Sequence, residues 1–182
     1  PVETPEGHSV GIVKSLSMMT SVSQHAPSGV IVNFLKEQTV EWLTQPRVYQ
    51  GVPITINGVI VAYTRDPVVL LKTLREAKRT VRIHPHTSVA WSPLYGTFSI
   101  ETDAGRLVRP VFRVVNGKIA DPPTDRTNWN SWVCSSIEFI DSVETETLRI
   151  ALRPSDLETS QYTHCEIHPH MILGHMAATI PL

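Results

Sequence analysis

Residues suited to metal binding lie close together near the C-terminal end of the sequence. They are His164, Cys165, Glu166, His168, His170 and His175. Histidine and cysteine are the usual ligands of Zn²⁺. A structural zinc site needs a second ligand pair about a dozen or more residues away, and this string has no such pair. The pattern therefore favours packed or solvated histidines, with a zinc-binding module as the alternative.

Two groups of charged side chains could also do chemistry. The acidic group is Glu138, Asp141, Glu144 and Glu146, and the basic group is Lys72, Arg75, Lys78, Arg79 and Arg82. Paired carboxylates can move protons or hold a divalent cation, and basic side chains can contact phosphates. The acids alternate with Thr and Val, as on the solvent side of a strand, and the bases end a predicted helix, where they favour its dipole. Both patterns therefore predict a solvated surface.

The compact signatures of a complete catalytic or nucleotide-binding site are missing. The sequence contains no Gly-x-Ser-x-Gly, no Gly-x₄-Gly-Lys and no Gly-x-Gly-x-x-Gly motif. We therefore expect no catalytic residue in this chain and no enzyme activity of the chain alone.

Length and composition describe a near-neutral globular chain. Its 182 residues are 41% hydrophobic and 18% charged, which supplies enough apolar material for a core without metals or disulfides. The 16 Lys and Arg residues against 17 Asp and Glu give a formal net charge of −1. Proteins that bind nucleic acid by themselves carry a basic surplus. The charge therefore excludes autonomous nucleic-acid binding, and any such role must be exercised within a larger assembly.

Cysteine usage and hydropathy point to an intracellular location. The two cysteines, Cys134 and Cys165, do not form a disulfide framework. The apolar runs are shorter than the roughly 18 to 20 residues of a membrane span, and the N-terminus has no signal-peptide core. We expect no membrane association. Because the chain lacks an initiator Met and neither end is polar, we also expect it to be a piece of a longer protein.

The elements that position these residues are predicted to be mixed, with more strand than helix. Asn57-Gly58 between two β-branched runs predicts a hairpin with a type I′ turn. A helix is predicted from the N-cap Asp66 through Pro67 to about Arg79, with Leu70, Leu71, Leu74 and Ala77 on its buried face. The fold class is α+β, with mixed, largely antiparallel sheets, hairpins and a few packing helices.

Weaker signals predict further elements. We expect 97–101 to pair with 106–115 through the turn at 103–105, with Asn116-Gly117 as the next reversal and Pro110 at a sheet edge or bulge. Further helices are predicted over 28–43, 128–135 and 168–178.

A short loop near the N-terminus has an unusual composition. It consists of Glu3, Thr4, Pro5, Glu6 and Gly7. Proline fixes φ and glycine permits a positive φ, so the loop is stiff and its backbone can approach another chain closely. An ordinary turn is the alternative interpretation.

Seven ordered motifs carry a resemblance along the chain. They are Pro1–Gly7, Gly11–Lys14, Asn57-Gly58, Thr102–Arg106, Arg109–Phe112, Ile137–Asp141 and Thr163–Pro169. In this order they resemble the second-largest subunit of multisubunit DNA-directed RNA polymerases, in its eukaryotic, archaeal and large-DNA-virus branch. The resemblance implies structural roles for Asp103, Gly105, Arg106, Arg109, His164, Cys165, Glu166 and His168. His170 and His175 depart from the family pattern, and the sequence assigns them no role.

The resemblance implies an organisation and partners. Residues 1–50 would be the end of the fork region and a following helix, 51–120 an external-type β-rich region that includes the helix 66–79, and 121–182 a second external-type region leading to the hybrid-binding region. The loop Glu3–Gly7 would border the nucleic-acid channel. Partners would be the largest subunit and other polymerase subunits, with the DNA template and the RNA–DNA hybrid in the assembled enzyme.

The resemblance also places the cofactors outside this chain. Mg²⁺ would be held by the largest subunit and Zn²⁺ elsewhere in the second-largest one, so we expect neither here. The location would be the nucleus for a cellular enzyme, or a cytoplasmic viral factory or the virion for a large DNA virus. The predicted function is a structural, channel-lining segment in DNA-templated RNA synthesis. The alternative is an autonomous zinc-binding or protein-interaction module.

Overall fold

The protein, seen here in a computed structural model that describes residues 4–13, 15–44, 49–158 and 161–181, contains two β-sheets. The five-stranded sheet has the strand order β2-β4-β3-β6-β5. Its strands are β2 (Glu41–Trp42), β3 (Val52–Ile56), β4 (Val59–Thr64), β5 (Ser88–Ser92) and β6 (Thr97–Glu101). Neighbouring strands are antiparallel except for β3 and β6, which are parallel.

Two helices cover this sheet and complete its core. They are α1 (Ser28–Lys36) and α2 (Pro67–Arg79). Leu35, Leu74 and Phe98 are fully excluded from solvent where the helices meet the strands. The apolar residues of α2 recur at helical spacing, so its buried face joins the main hydrophobic core of the protein.

The second sheet has six strands and is built around one long strand, β7 (Leu107–Val115). The strands β1 (Ser21–Val22), β8 (Lys118–Ile119) and β9 (Ile137–Asp141) each pair antiparallel to β7. The strand β11 (His164–Cys165) also pairs with β7, and β10 (Ile150–Ala151) lies parallel to β11. The helices α3 (Trp129–Ser135), α4 (Ser142–Thr147) and α5 (His175–Ala178) belong to this half of the chain. Short 3₁₀ helices cover Gly7–Ser9, Pro154–Glu158 and Pro169–Ile172.

The fold confirms the strongest local predictions. The class is α+β with mixed sheets. Asn57 and Gly58 both have positive φ, at 50° and 79°, as a type I′ turn requires. The helix α2 begins at Pro67 and ends at Arg79 as expected, although Asp66 makes no side-chain cap and Leu71 is only half-buried. The third helix and the Asn116-Gly117 reversal are also where the sequence placed them.

The predicted pairing of 97–101 with 106–115 is wrong. β6 pairs with β5 and β3 in the first sheet, while β7 begins the second, so the turn at 103–105 connects two sheets rather than closing a hairpin. Two helices are also shorter than predicted. α1 stops at Lys36, before the strand β2, and 168–178 divides into a 3₁₀ helix and the short α5.

Pro110 lies inside a sheet rather than at an edge or bulge. It faces Phe139 of β9 in a regular antiparallel register. The Arg113 amide donates toward β9 and the Val114 amide toward β11. Because successive backbone amides of a strand point to opposite sides, the nitrogen of Pro110 points to the β11 side. On that side β1 pairs with residues 107–108 and β11 with 112–113. Pro110 therefore occupies the gap between two short strands, where a missing N–H leaves no acceptor unpaired.

Candidate functional site

The N-terminal loop is exposed over its described part. Thr4, Pro5, Glu6 and Gly7 are all exposed, whereas Glu3 lies outside the described residues. The Thr4 hydroxyl donates to the carbonyl of Gly11 over 3.0 Å. Gly7 has a φ of 75°, which a side chain would strain, and it begins a 3₁₀ turn. The loop is thus shaped by its own residues and leaves its surface free for contacts outside this chain.

The motif at 103–106 fastens the connection between the two sheets. The Asp103 carboxylate accepts a 3.0 Å hydrogen bond from the Asn57 side chain at the tip of the β3–β4 hairpin. The Gly105 amide donates to the Ser23 carbonyl, and Gly105 has a φ of 93°. The Ser23 hydroxyl accepts from the Arg106 amide and donates to the Asp103 carbonyl. These hydrogen bonds connect the crossover to the β3–β4 hairpin and to Ser23, next to β1.

Arg106 extends this link across the second sheet. Its guanidinium donates to the Asp141 carboxylate over 3.0 Å and to the His86 carbonyl over 2.7 Å. Asp141 is buried, and its other oxygen accepts from the Glu144 amide at the start of α4. One arginine thus joins the sheet crossover, the loop before β5 and the N-terminus of α4.

A second ion pair joins β7 to the C-terminal motif. The Arg109 guanidinium lies 2.6 Å from the Glu166 carboxylate, which is buried. Cys165 is fully excluded from solvent, and burial, followed by the charges of Glu166 and Asp156, raises the pKa of its thiol. The ring nitrogen Nδ1 of His168 accepts from the His170 amide and caps the following 3₁₀ helix. These residues stabilise the fold around β11.

The most deeply buried charges join α2 to the second sheet. The Lys78 ammonium lies 2.9 Å from the Glu144 carboxylate, and both side chains are 2% exposed. The same carboxylate accepts from the Val89 amide over 3.1 Å. Complete burial raises the pKa of Glu144, and the charge of Lys78 opposes that shift. Two donors, the Lys78 ammonium of α2 and the Val89 amide of β5, thus make three hydrogen bonds to a glutamate of α4.

Glu138 forms the second centre of this buried ionic network. Its carboxylate accepts from Arg79 over 3.1 Å and lies 3.4 Å from His164 Nε2. Burial by itself would raise the pKa of Glu138. The hydrogen bond with His164 and the charges of Lys78 and Arg79 outweigh burial and hold that pKa well below its usual range. Glu138 is therefore an ionised, buried anchor between α2, β9 and β11.

The predicted solvated faces are wrong for these side chains. Glu138, Asp141, Glu144 and Lys78 are all buried, because each acid pairs with a base that is distant in sequence: Arg79, Arg106 and Lys78 respectively. Glu146 and Lys72 are exposed as predicted. The acidic and the basic group are both visible in the sequence. Local spacing does not reveal which members pair, because Lys78 and Glu144 are 66 positions apart.

The residues with metal-binding chemistry do not converge. Across 4–13, 15–44, 49–158 and 161–181, no group of three or more His, Cys, Asp and Glu side chains could hold a metal ion. His164 is engaged with Glu138 and Thr163, and His168 with the His170 amide.

Among the residues that the structure describes, no helix is long and apolar enough to cross a membrane.

Comparisons with known proteins agree along the chain. Residues 54–115 match the family model described as RNA polymerase Rpb2, domain 4, and residues 1–22 match RNA polymerase Rpb2, domain 3. The whole chain is 32% identical to DNA-directed RNA polymerase II subunit RPB2 of Schizosaccharomyces pombe, of which it covers 20%. It is 35% identical to DNA-directed RNA polymerase II subunit 2 of Arabidopsis thaliana, covering 17% of that protein.

A viral relative shows the same full-length match. DNA-directed RNA polymerase subunit 2 of Acanthamoeba polyphaga mimivirus is 27% identical, with 100% of this chain and 19% of the relative covered. The chain thus spans about a fifth of the length of the relatives that it matches. The motifs that resemble this family hold the crossover and the β7–β11 pair in the structure. Over its whole length the chain therefore matches a segment of the second-largest subunits of DNA-directed RNA polymerases.

Proposed function

We propose that this chain is a structural, channel-lining segment of a DNA-directed RNA polymerase that supports DNA-templated RNA synthesis within the assembled enzyme. The full-length match to second-largest subunits is the observation that carries the proposal. The contacts of the motif residues support the proposal, because Arg106, Arg109 and His164 make hydrogen bonds or ion pairs within the fold. Catalysis belongs to the assembly, where the largest subunit would hold Mg²⁺ and a separate part of the second-largest subunit would hold Zn²⁺.

The loop Glu3–Gly7 would border the channel that holds the DNA template and the RNA–DNA hybrid. Its described residues are exposed and make few contacts inside this chain. The loop has no positive charge, so it would shape the channel wall rather than bind phosphates. The division into a fork end at 1–50 and two external-type regions at 51–120 and 121–182 is part of this proposal, as is an intracellular location, in the nucleus, a viral factory or the virion.

The two ends of the chain offer an apolar surface for the rest of such an assembly. The Met18 amide donates to the Leu173 carbonyl over 2.8 Å, so the N- and C-terminal segments lie together. Ile12 is 92% exposed, and Val10, Leu16, Met176 and Ile180 are each more than half exposed. An apolar surface of this kind is typical of an interface. We infer that neighbouring parts of the subunit and other polymerase subunits pack here.

Primer extension by a reconstituted polymerase tests the proposal. The variant Glu3→Ala/Pro5→Ala/Glu6→Ala should assemble normally but extend the primer less far. Glu158→Gln, which alters an exposed acid on a 3₁₀ helix, should leave assembly and elongation unchanged. The chain alone should not extend a primer with Mg²⁺ and nucleotides. Primer extension by the chain alone, or full elongation by the loop variant, would contradict the proposal.

A further inference from the structure

Arg75 has a buried side-chain nitrogen that makes no hydrogen bond with the described residues. It lies in the middle of α2, and its Nη2 atom is buried with no partner among the described residues. Burial lowers the pKa of Arg75, and the charges of Glu144 and Glu138 oppose that shift. Both carboxylates already accept from other donors, Glu144 from Lys78 and Glu138 from Arg79. A buried polar atom without a partner is uncommon, and it marks the Arg75 guanidinium as incompletely hydrogen-bonded among the described residues.

Arg75 lines an open groove between α2, the β5–β6 turn and the end of α4. The groove has a volume of about 490 Å³, and its apolar wall consists of Leu71, Trp91, Leu94 and Tyr95. Leu94 is 83% exposed and Tyr95 73% exposed. Large apolar side chains at the tip of a turn have no role in the core. We call this surface the Arg75 groove.

The helix extends the apolar wall of the groove. Val68, Leu71 and Arg75 recur at spacings of three and four, which places them on one face of α2. Val68 is exposed although it belongs to the helix that carries the core residues Leu70 and Leu74. An apolar strip therefore leads along α2 to a single cation and continues over the β5–β6 turn.

We propose that the Arg75 groove binds a segment of a partner protein that places an Asp or Glu carboxylate on the Arg75 guanidinium and an apolar side chain against Leu94 and Tyr95. Charge complementarity supports this occupant, because Arg75 is the cation of a lining whose large side chains are mostly apolar, although Glu146 is an acid of the same lining. Guanidinium–carboxylate pairs are among the strongest hydrogen-bonded contacts. A nucleic-acid backbone fits less well, since it requires several cations and Arg75 is the one cation among the described lining residues. The proposal goes beyond the polymerase assignment and does not rest on it.

A random dodecapeptide library displayed on phage provides an unbiased probe. The library is panned on the full chain, with counter-selection on the Arg75→Gln variant, and the enriched peptides are synthesised and measured by fluorescence anisotropy. Enriched peptides should carry an acidic residue beside a large apolar one. A hydrogen bond to a charged group changes a dissociation constant by a factor of about ten or more, so the affinity of these peptides should fall about tenfold for Arg75→Gln. The Asp→Asn form of each peptide should lose the same factor.

Lys72→Gln is the matched control. It removes an equal charge from an exposed position of the same helix that does not line the groove, so peptide affinity should stay unchanged. Leu94→Ser/Tyr95→Ser keeps Arg75 and alters only exposed side chains, so it should weaken binding without unfolding the chain. Circular dichroism in the near-ultraviolet verifies each fold. Peptides without acids, equal affinity for Arg75→Gln, or a preference for an oligothymidylate probe over every peptide would overturn the proposal.

Discussion

The N-terminal loop and the buried ionic network both carry residues of the polymerase resemblance, yet they differ in what this chain does with them. In the network, Glu138 and His164 are buried and have partners on other elements. In the loop, Thr4 contacts only the nearby Gly11 among the hydrogen bonds of the described residues, and Glu6 is exposed. Contacts within the fold therefore account for the residue types of the network, whereas they do not account for the residue types of the loop.

This difference separates two kinds of motif residue. A buried ion pair is costly to break, because removing one partner leaves the other charge without compensation. An exposed loop residue that makes no tertiary contact has little effect on folding. The network should thus govern the stability of the segment, and the loop should govern what the segment does in an assembly. The following experiments test that division, beginning with the largest expected effect.

Removing Lys78 should give the greatest loss of stability. Lys78→Met leaves the buried Glu144 carboxylate with the Val89 amide as its remaining donor, so the free energy of unfolding should fall by about 3–5 kcal/mol. Because the pKa of Glu144 is raised, protonation at lower pH should relieve part of this loss. Urea denaturation at several pH values measures both effects. The double variant Lys78→Met/Glu144→Leu should recover most of the stability, and a single variant that costs less than about 1 kcal/mol would contradict the prediction.

Glu138 should make the chain sensitive to acid. Its folded pKa is lowered relative to the unfolded chain, so its contribution is present above the ordinary carboxyl pKa of about 4.3 and is lost as the pH falls below that value. Glu138→Gln should cost about 2 kcal/mol at pH 7 and should flatten the loss of stability between pH 5 and pH 3. Thermal unfolding as a function of pH measures the slope. A variant as acid-sensitive as the parent would show that other carboxylates dominate.

Gly174 should reveal how firmly the terminal segments are joined. A Cβ at this position would lie 2.6 Å from the Ser15 Cβ and 3.2 Å from the Leu16 carbonyl oxygen. Gly174→Ala should therefore separate the segments at a cost of about 1 kcal/mol, with faster hydrogen exchange at the Met18 amide. Gly11→Ala is the control, because its Cβ meets no atom within 4 Å. Unchanged exchange in the Gly174 variant would show that the segments adapt.

The loop should have the smallest effect on folding. Pro5→Ala and Glu6→Gln alter exposed side chains, so each should change the free energy of unfolding by less than about 0.5 kcal/mol. Differential scanning calorimetry of the two variants checks this. A loss comparable to that of Glu138→Gln would mean that the loop supports the fold, and the contrast between the two regions would disappear.

Local signals in the sequence were sufficient for much of the fold. Asn57-Gly58 specifies its hairpin because the two positive φ angles depend on these residues alone. Pro67 marks the start of α2 for another local reason, because its fixed φ suits a helix and its missing N–H is not needed in the first turn. The partner of β6 could not be predicted in this way, since the turn at 103–105 suits a hairpin as well as a crossover. Contacts of Asn57 and Ser23 with that turn decide between the two.

The ionic network was beyond local reasoning. Spacing by itself assigns Glu138 and Glu144 to a solvated face, because charged residues are rarely buried without a partner. Their partners Arg79 and Lys78 lie on a helix that was itself predicted correctly, but which face of that helix meets the second sheet depends on the tertiary fold. The resemblance implied a structural role for His164 without showing which residue it contacts, and the spacing of the basic group assigned Arg75 to a solvated surface, whereas it is half-buried.

The layout of the two sheets has a consequence for synthesis of the chain on the ribosome. The first sheet uses strands between residues 41 and 101, whereas the second needs β11 at 164–165 before it is complete. Contacts that are close in sequence form earlier than distant ones, so we expect the first sheet and α2 to fold first, as pulse-labelled hydrogen exchange would show. Until Glu144 has emerged, we expect the ammonium of Lys78 to stay hydrated, because its buried partner is not yet present. Burial of Lys78 then requires the Glu144 carboxylate beside it, so we expect α4 and the second sheet to pack stably only in the arrangement that forms this pair.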